Sequence, residues 1–553
     1  MKTSSRSRSP WRQMLVSLFA VTFFAQSGLA WQTAAAPKAA PALTAAEKKA
    51  VAGVKLETIR EITKALSAPE MQGRGTAQPG GDKAAKYLAA RFQALGLKPL
   101  GDAGTYLQSI NFKSAQVQPS ASITAGDQTL KLGIDFIAAP PLTGDKNIEG
   151  KLAFAGYGRA SEVNALDLAG KVAIVVLGPP KGVEKAVWDK ENASQSVVFR
   201  LLGKKAAGVI LANFGSPDQP YAMVADYLTR RSVSLADAVQ PPATFPPIIL
   251  VSDAGAEKLL TGSGSTYAQA RAAADAGETA ARVYETTVKI NIPLKQESGI
   301  GSNVIGVLEG ADPTLKEQAV VFSAHYDAFG VGADNRIYPG AADNALGVGE
   351  ILSIAETLTH AQPRPRRSII FLAVTGEEYG LLGAEHWVKH PTWKLDNVAA
   401  DINLDGIGTE VWGPVKRIIG FGSEHSTLGA ALEAVVAATG NVVAPDPLPE
   451  EKVFYRSDHF AFVKKGVPSL MLLGTPDIDA DAMRTRAKKW MATDYHQPGD
   501  IVRPEWDWTG AQTVAVVGLL VGMRVADTDA MPAWLPSSQF NKARGGAAAA
   551  KPQ

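Results

Sequence analysis

Cysteine is absent from this chain of 553 residues. The absence excludes disulfide bonds, a thiolate nucleophile, a lipid-anchored cysteine and metal sites built from sulfur ligands. Any bound metal ion must therefore be held by the nitrogen and oxygen atoms of histidine, aspartate and glutamate. Without disulfides, the chain must also be stabilised by packing alone.

A strong charge of one sign and a long apolar run at the N-terminus are missing as well. The formal net charge is +2, and the apolar run over residues 14–25 is too short to span a bilayer. The basic residues before that run are Lys2, Arg6, Arg8 and Arg12. With small residues at positions 28 and 30, this pattern predicts that residues 1–30 are a cleaved secretory signal peptide rather than an uncleaved anchor.

Removal of that segment changes the charge of the chain. Four of the 56 basic residues are lost, which leaves 52 against 54 acidic residues and a formal charge of −2. A nearly neutral protein has no electrostatic support for binding nucleic acid or an anionic membrane. We therefore expect an exported protein, in a bacterial periplasm or outside the cell, with no nucleic-acid partner and no stable membrane insertion.

The length exceeds that of one ordinary hydrophobic core, and the texture of the sequence changes along it. Residues 31–50 are rich in Ala and Pro and predict a linker, and residues 51–117 predict helices with a break at "SAPEMQGRGTAQPGG". Residues 118–290 hold "GKVAIVVLG" and "GKKAAGVILANF", which predict one β-α-β unit without a Gly-rich nucleotide fingerprint. Residues 531–553 are predicted to be a low-complexity tail.

Residues 291–530 alternate short buried strands with amphipathic helices, which is typical of an α/β domain with a mostly parallel sheet covered on both faces. The predicted strands are Asn303–Leu308, Ala319–Ser323, Ile369–Val374, Ala400–Leu404 and Val467–Leu472. Sites in such sheets lie at the carboxyl ends of the strands, so that edge is where functional residues are expected.

Conspicuous polar residues follow these strands or open the next helix. They are His325 and Asp327 in "SAHYD", Asp343 in "GAADNALG", Glu377 and Glu378 in "GEEYG", Asp405 in "INLDGIG", and His496 in "DYHQPGD". Each has an ordinary structural explanation by itself, such as a helix cap, a turn or a first-turn glutamate. Their joint occurrence at one edge of the predicted sheet favours a functional site.

The residue types suit a pair of metal ions. Two neighbouring zinc ions need one carboxylate between them and further ligands on each, and two histidines with three carboxylates supply these from N and O atoms. A carboxylate beside a ligating histidine commonly orients it, which suits Asp327 beside His325. Of the adjacent Glu377 and Glu378, one can bind a metal ion while the other stays free to take a proton.

The motifs "SAHYD", "GAADNALG", "GEEYGLLG", "INLDGIG" and "DYHQPGD" resemble those of the co-catalytic di-zinc aminopeptidases of metallopeptidase clan MH. That family includes secreted bacterial aminopeptidases, glutamate carboxypeptidase and the transferrin receptor. The resemblance covers roughly the last 230 residues and implies a three-layer α/β/α zinc-peptidase domain with a mixed, mostly parallel sheet. Residues 118–290 are similar to the protease-associated domain, a β-rich module inserted into several exported peptidases.

The resemblance also implies two zinc ions per chain and a ligand set. His325 and Asp405 would hold one zinc, Glu378 and His496 the other, and Asp343 would bridge them. A cis peptide bond is implied between Asp343 and Asn344.

Further roles are implied for residues beside the ligands. Glu377 would be the general base, Asp327 would orient His325, and Tyr495 and Arg456 would stabilise the oxyanion. His459 is expected to be a histidine in a loop at the pocket rim rather than a ligand. The chain departs from the family at Ala342, where relatives carry an acidic or amide residue, and in the longer segment "GVGADNRIY".

These features imply an exported zinc aminopeptidase that removes N-terminal residues from peptides or proteins. Four alternatives stay open: a related zinc carboxypeptidase, a glutaminyl cyclase with one zinc, a peptidase of another clan with a dimerisation lid, and a non-catalytic receptor-type scaffold. In the peptidase with a lid, the inserted domain follows the metal-binding segments instead of preceding them. A receptor-type scaffold usually lacks ligands or the base, whereas all candidates are present here.

Overall fold

The computed structural model describes residues 42–215, 220–277, 281–332, 335–406 and 408–541. The described chain forms two compact units. The first holds residues 113–232 and 236–298, and the second holds residues up to 112, residues 233–235 and residues from 299 onward. The predicted signal peptide, the linker up to residue 41 and the tail from residue 542 lie outside the described residues. At the end of the predicted linker, residues 45–50 form part of a capped helix.

The helices are α1 Ala45–Gly53, α2 Leu56–Ser67, α3 Pro79–Ala94, α4 Ala160–Asn164, α5 Lys185–Asn192, α6 Ser194–Gly203, α7 Tyr221–Leu228, α8 Asp253–Thr261, α9 Tyr267–Asp275, α10 Leu346–Thr359, α11 Leu382–Lys389, α12 Leu428–Ala438, α13 His459–Lys464, α14 Ala480–Thr493 and α15 Thr509–Asp527. The strands are β1 Lys98–Pro99, β2 Leu107–Val117, β3 Ser122–Ala125, β4 Gln128–Lys131, β5 Phe136–Ala138, β6 Lys146–Phe154, β7 Val172–Val176, β8 Gly208–Ala212, β9 Ser232–Leu235, β10 Ile248–Val251, β11 Arg282–Ile292, β12 Leu294–Leu308, β13 Ala319–His325, β14 Gly330–Val331, β15 Ile337–Tyr338, β16 Ser368–Val374, β17 Val398–Leu404, β18 Val415–Phe421, β19 Val442–Val443 and β20 Ser469–Pro476.

A ten-stranded mixed sheet forms the centre of the second unit. Its order is β19-β18-β20-β17-β13-β16-β12-β2-β9, with β1 on β12. The strands β16, β13, β17 and β20 are parallel, whereas β12 and β18 run antiparallel to their neighbours. The predicted strands are therefore present, and the α/β class with a mostly parallel sheet is confirmed. The antiparallel strand β18 was not predicted.

Side chains of β13 show why this sheet is covered on both faces. All seven residues of β13 are buried, and all but Ser323 and His325 are apolar. Val320 and Phe322 pack with α10 and α15 on one face, and Val321 packs with α11 and α13 on the other. The unit therefore has three layers, with helices on both sides of the sheet.

Helix α15 is the described helix that is long and apolar enough to cross a membrane by length and composition. However, 72% of its most apolar window is buried within the protein, where it packs on the central sheet. This burial is the environment of a core helix.

The first unit has an eight-stranded sheet with the order β4-β3-β11-β6-β7-β8-β10-β5. Strands β6, β7, β8 and β10 are parallel, and α5 and α6 lie between β7 and β8 in the predicted β-α-β unit. Separate apolar clusters cover the two faces of this sheet. Its identity as a protease-associated domain stays a prediction.

Candidate metal centre

The carboxyl ends of β13, β16 and β17 meet at one edge of the central sheet, because these strands are parallel neighbours. His325 is the last residue of β13 and Asp405 directly follows β17. Glu377 and Glu378 lie in the short 3₁₀ turn that follows β16. The topology of the sheet thus places residues together that are up to 80 positions apart in sequence.

Asp343 and His496 come to the same edge from loops. Asp343 lies in an irregular turn, Ala341–Ala345, just before α10. His496 lies between α14 and α15 and has a left-handed backbone conformation, with φ of 59°. The peptide bond between Asp343 and Asn344 is cis, as the resemblance implies.

The five predicted ligands form two groups that share Asp343. One group is His325, Asp343 and Asp405, the other is Asp343, Glu378 and His496, and the donor atoms of each group lie within 4.8 Å of one another. The two carboxylate oxygens of Asp343 face different groups. Its Oδ1 lies 3.1 Å from Nε2 of His325, and its Oδ2 lies 3.2 Å from Nε2 of His496.

The outer carboxylate of each group lies equally close to its histidine. Asp405 Oδ1 is 3.2 Å from Nε2 of His325, and Glu378 Oε2 is 3.1 Å from Nε2 of His496. Oε2 of Glu378 is buried. Among the described residues it has no hydrogen-bond partner that meets the distance and angle limits. Two histidine nitrogens and three carboxylates that converge in two groups around a shared carboxylate fit two divalent ions that accept N and O ligands, such as zinc.

Electrostatics at this edge are dominated by burial and by mutual charge. Burial opposes charging of His325, but Asp405 and Glu377 outweigh it, so the pKa of His325 lies well above its ordinary value. The same competition, here with Glu378 and Asp343, raises the pKa of His496 to about 9. Burial raises the pKa of Glu378 to about 6, although His496 acts in the opposite direction. The site thus holds protons at neutral pH that metal ions would displace.

Glu377 lies beside the two groups without belonging to either of them. Its Oε2 is 3.9 Å from Nε2 of His325, and its side chain is only 11% exposed. Burial raises the pKa of Glu377 well above the ordinary range, with the charge of His325 opposing the shift. A carboxylate in this position can accept a proton from a reacting group.

Asp327 contacts three partners around His325. Its carbonyl oxygen lies 3.2 Å from Nδ1 of His325, whereas its carboxylate is 3.7 Å away. The backbone N–H of Glu377 donates to Asp327 Oδ1, at 3.2 Å. Thr76 donates its hydroxyl to Asp327 Oδ2, at 2.8 Å. Asp327 therefore connects His325 to Glu377, the candidate base. The hydrogen-bond partner of His325 Nδ1 is the main-chain carbonyl oxygen of Asp327 rather than its carboxylate.

Tyr495 and Arg456 lie together at the side of His496. The rings of Tyr495 and His496 stack at 3.6 Å, and Nη2 of Arg456 donates to the Tyr495 hydroxyl at 3.3 Å. Arg456 also pairs with Glu451 at 3.0 Å. Burial raises the pKa of Tyr495 well above its ordinary value, with Arg456 opposing, so the phenol is a neutral donor.

The prediction that His459 lies in a loop at the pocket rim is wrong. His459 is fully buried at the start of α13. Its ring packs edge-on against Phe454, with 5.2 Å between centroids. Burial lowers the pKa of His459 to about 3, so it is a neutral core residue. Neither ligand group includes it.

Sequence reasoning missed several residues that hold the ligands in place. Ser457 donates to Asp405 Oδ2 and accepts from Asn403. Asp500 accepts from the backbone N–H groups of Ala342 and Asp343. Ser457 follows the predicted oxyanion residue Arg456, and Asp500 ends the motif "DYHQPGD", but the sequence carries no signal for a supporting role of either residue.

The segment Gly73–Thr76 lies in the predicted break between helices, yet it contributes Thr76 and Arg74 to this edge. The departures from the family are accommodated locally. Ala342 is fully buried with its N–H held by Asp500, and "GVGADNRIY" forms the small hairpin β14–β15, with residues 333–334 outside the described chain.

Part of the chain is similar to a known family. Residues 303–520 match the family model described as Peptidase family M28. A probable leucine aminopeptidase 2 of Aspergillus oryzae is 26% identical over 408 residues, which cover 71% of both chains. A vacuolar membrane protease of Candida albicans is 37% identical over 107 residues, but these cover only 19% of this chain and 11% of that protein.

Solved structures share the fold. An aminopeptidase from Aneurinibacillus sp. strain AM-1 superposes with a TM-score of 0.59 at 16% identity, over 88% of this chain and 97% of that one. A zinc aminopeptidase from Bacillus subtilis superposes with a TM-score of 0.54 at 17% identity, over 88% and 97% of the two chains. Both matches extend well beyond residues 303–520.

Proposed function

We propose that this chain, whose residues 303–520 match the model of Peptidase family M28, is an exported di-zinc aminopeptidase. The match of residues 303–520 to the family model and the aminopeptidases among the relatives support an enzyme that acts on peptides. Two zinc ions, the roles of individual residues and the aminopeptidase outcome are the proposed parts.

One observation carries the proposal: Asp343 presents one carboxylate oxygen to each of two complete ligand groups. The first ion would be held by His325 and Asp405, and the second by Glu378 and His496. A glutaminyl cyclase with a single zinc would need only one of these groups. The presence of both, together with the nearby carboxylate of Glu377, favours peptide hydrolysis.

When bound, two zinc ions would polarise the scissile carbonyl and make water a better nucleophile at neutral pH. Glu377 would accept the proton of the attacking water and later deliver it to the departing amine. Tyr495, with Arg456 on its hydroxyl, would donate a hydrogen bond to the developing oxyanion. Asp327 would keep His325 and the backbone of Glu377 in register through the contacts described above.

Aminopeptidase activity is favoured over carboxypeptidase activity by the names of the relatives, which include leucine and zinc aminopeptidases. Export is supported by the signal-peptide pattern of residues 1–30. We also propose that residues 118–290 are an inserted protease-associated domain, on the resemblance of their two strand motifs. Residues 51–117 and 291–530 would together form the peptidase domain.

The test is Glu377→Gln in the full chain. We expect hydrolysis of aminoacyl-nitroanilides to fall at least about 10³-fold, because the general base is lost, while two zinc ions stay bound. The matched control is Glu378→Gln at the neighbouring position, which should lose zinc as well as activity. Hydrolysis at the wild-type rate by Glu377→Gln would refute the mechanism.

Zinc counting and a substrate panel separate the alternatives. Two zinc ions per chain with activity on free, but not blocked, N-termini is the expected result. One ion per chain with cyclisation of N-terminal glutamine would favour the cyclase. Release of C-terminal residues would favour a carboxypeptidase, and tight zinc binding without any hydrolysis would favour a receptor-type scaffold.

A further inference from the structure

Arg74 is a fully buried arginine in the second unit whose recorded hydrogen bonds all go to backbone carbonyl oxygens. It donates to Leu66 and Gly340, each at 2.7 Å, and to Tyr326 and Pro339. A buried cation without a directly bonded carboxylate is costly unless its donors are all satisfied. The planar fork of arginine can serve several carbonyls at once, which lysine cannot.

Three of the four carbonyl oxygens that accept hydrogen bonds from Arg74 belong to two segments that carry predicted ligands. Tyr326 stands between His325 and Asp327, and Pro339 and Gly340 lead directly into the turn that carries Asp343. One guanidinium group therefore ties the end of β13 to the approach to Asp343.

Asp500 holds the following residues of the same turn. Its Oδ1 accepts from the N–H of Ala342 at 2.8 Å, and its Oδ2 accepts from the N–H of Asp343 at 3.0 Å. Its own carbonyl accepts from the N–H of Ala341 at 3.1 Å. Asp500 is only 3% exposed, so both oxygens are committed to this backbone.

The fit around the turn is close. Gly340 has a left-handed φ of 57°, and a Cβ atom there would lie 2.4 Å from the carbonyl oxygen of Asp343 and 3.0 Å from Nη2 of Arg74. Only glycine accepts this conformation with the guanidinium so near. Five consecutive residues are thus held: residues 339 and 340 through their carbonyl oxygens by Arg74, and residues 341–343 through their N–H groups by Asp500.

We propose that Arg74 and Asp500 are positioning residues that fix the backbone of the bridging ligand Asp343, and through it the relative placement of the two metal sites. The inference rests on the proposed function, because it concerns the bridging role of Asp343. Neither side chain donates an atom to the ligand groups or needs to touch substrate. Their effect passes through the backbone of residues 339–343.

The experiment measures metal binding by the full chain with Arg74→Lys or Asp500→Asn. Lysine keeps the charge but cannot reach four carbonyls, and asparagine replaces one acceptor oxygen by an amide that faces an N–H. Chelator-stripped proteins are titrated with zinc in competition with a chromophoric chelator. We expect the dissociation constant of at least one of the two ions to rise about 10- to 100-fold. Cobalt titrations should show altered visible spectra.

Two matched controls separate positioning from general destabilisation. Arg367 is equally buried and also donates to backbone carbonyls, but it precedes β16 at the opposite end of that strand from Glu377. Asp135 of the first unit is 2% exposed and accepts from the N–H of Lys131. Arg367→Lys and Asp135→Asn should lower thermal stability without changing zinc affinity by more than about twofold.

Two results would overturn the inference. In the first, the zinc affinities of both Arg74→Lys and Asp500→Asn stay within about twofold of wild type. In the second, the control variants lose as much zinc affinity as these two. If Arg74→Lys does not fold, Asp500→Asn decides by itself. A wild-type chain that binds no zinc would overturn the proposed function as well. If the wild-type chain binds zinc tightly and hydrolyses peptides, but the two variants keep wild-type zinc affinity, only the positioning role would be overturned.

Discussion

At the scale of single residues, the site separates identical side chains by their surroundings. Glu377 and Glu378 are neighbours in one turn, but only Glu378 belongs to a ligand group. The histidines differ in the same way: carboxylates raise the pKa values of His325 and His496, whereas burial among aromatic rings lowers that of His459. Residue type therefore does not decide the role, because burial and neighbouring charge do.

Replacement of Tyr495 by phenylalanine tests the proposed oxyanion donor. The change removes one hydroxyl and leaves the ring that stacks on His496. We expect kcat to fall about 10²- to 10³-fold with little change in KM, because the lost hydrogen bond forms in the transition state. Zinc content should stay at two ions per chain by atomic absorption.

The control is Tyr455→Phe, at an exposed tyrosine whose hydroxyl accepts from Gln539. It should leave kcat unchanged. If Tyr495→Phe retained wild-type kcat, the phenol would have no part in the reaction.

At the scale of elements, two buried carboxyl groups lie behind the metal centre. Glu350 is on α10, and Glu410 is in the 3₁₀ turn Thr409–Val411; each is 1% exposed. Glu410 accepts from the N–H of Gly474, and burial nevertheless raises its pKa to about 8. Burial, with the charge of Glu410 adding to it, raises the pKa of Glu350 well above its ordinary value. These elements thus hold protonated carboxyl groups at neutral pH.

The raised pKa of Glu410 predicts a pH-dependent stability. Between about pH 4.5 and about pH 8, Glu410 is protonated in the folded chain and ionised in the unfolded chain. The proton bound by the folded chain stabilises it, and this contribution to the free energy of unfolding is lost as the pH rises through that range. We expect Glu410→Gln to remove about one proton from the slope of unfolding free energy against pH, ~1.4 kcal/mol per pH unit. Urea unfolding from pH 5 to pH 8, with chelator present throughout, measures that slope.

The exposed Glu433 on α12 provides the control, since Glu433→Gln should give a slope parallel to that of wild type. A parallel slope for Glu410→Gln would show that Glu410 is ionised in both the folded and the unfolded chain.

At the scale of the whole molecule, metal binding and folding are coupled through the proton-holding site. In the chelator-stripped chain, protonated His496 stabilises the fold below about pH 6.5, and this contribution is lost as the pH rises through about 9. Zinc must displace that proton, so its binding strengthens over the same pH range.

We therefore expect zinc to raise the melting temperature of the stripped protein more at pH 8 than at pH 6. Thermal unfolding at pH 6, 7 and 8, with and without zinc, measures the difference. His496→Gln should reduce the shift at every pH, whereas the control His360→Gln, at an exposed histidine, should not. An equal zinc-induced shift at all three pH values would show that no proton is displaced.

The sequence by itself determined the α/β class, the five strands that frame the site and the types of its ligands. Short, mostly apolar runs such as Ala319–Ser323, which alternate with amphipathic helices, are typical of buried strands of a covered sheet, and the carboxyl ends of such parallel strands share one edge. Motif resemblance then assigned a residue to each expected role.

Only the tertiary structure decided which contacts hold those residues in place. Thr76 and Arg74 stand some 250 positions before Asp327 and Tyr326, and Asp500 stands 157 after Asp343. Their partners are largely backbone atoms, which leave no pattern in side-chain chemistry or spacing. The burial of His459 was hidden for a related reason, because it depends on aromatic neighbours brought together by packing. Local pattern therefore specified the strands and ligands, whereas long-range packing specified how rigidly Asp343 is held.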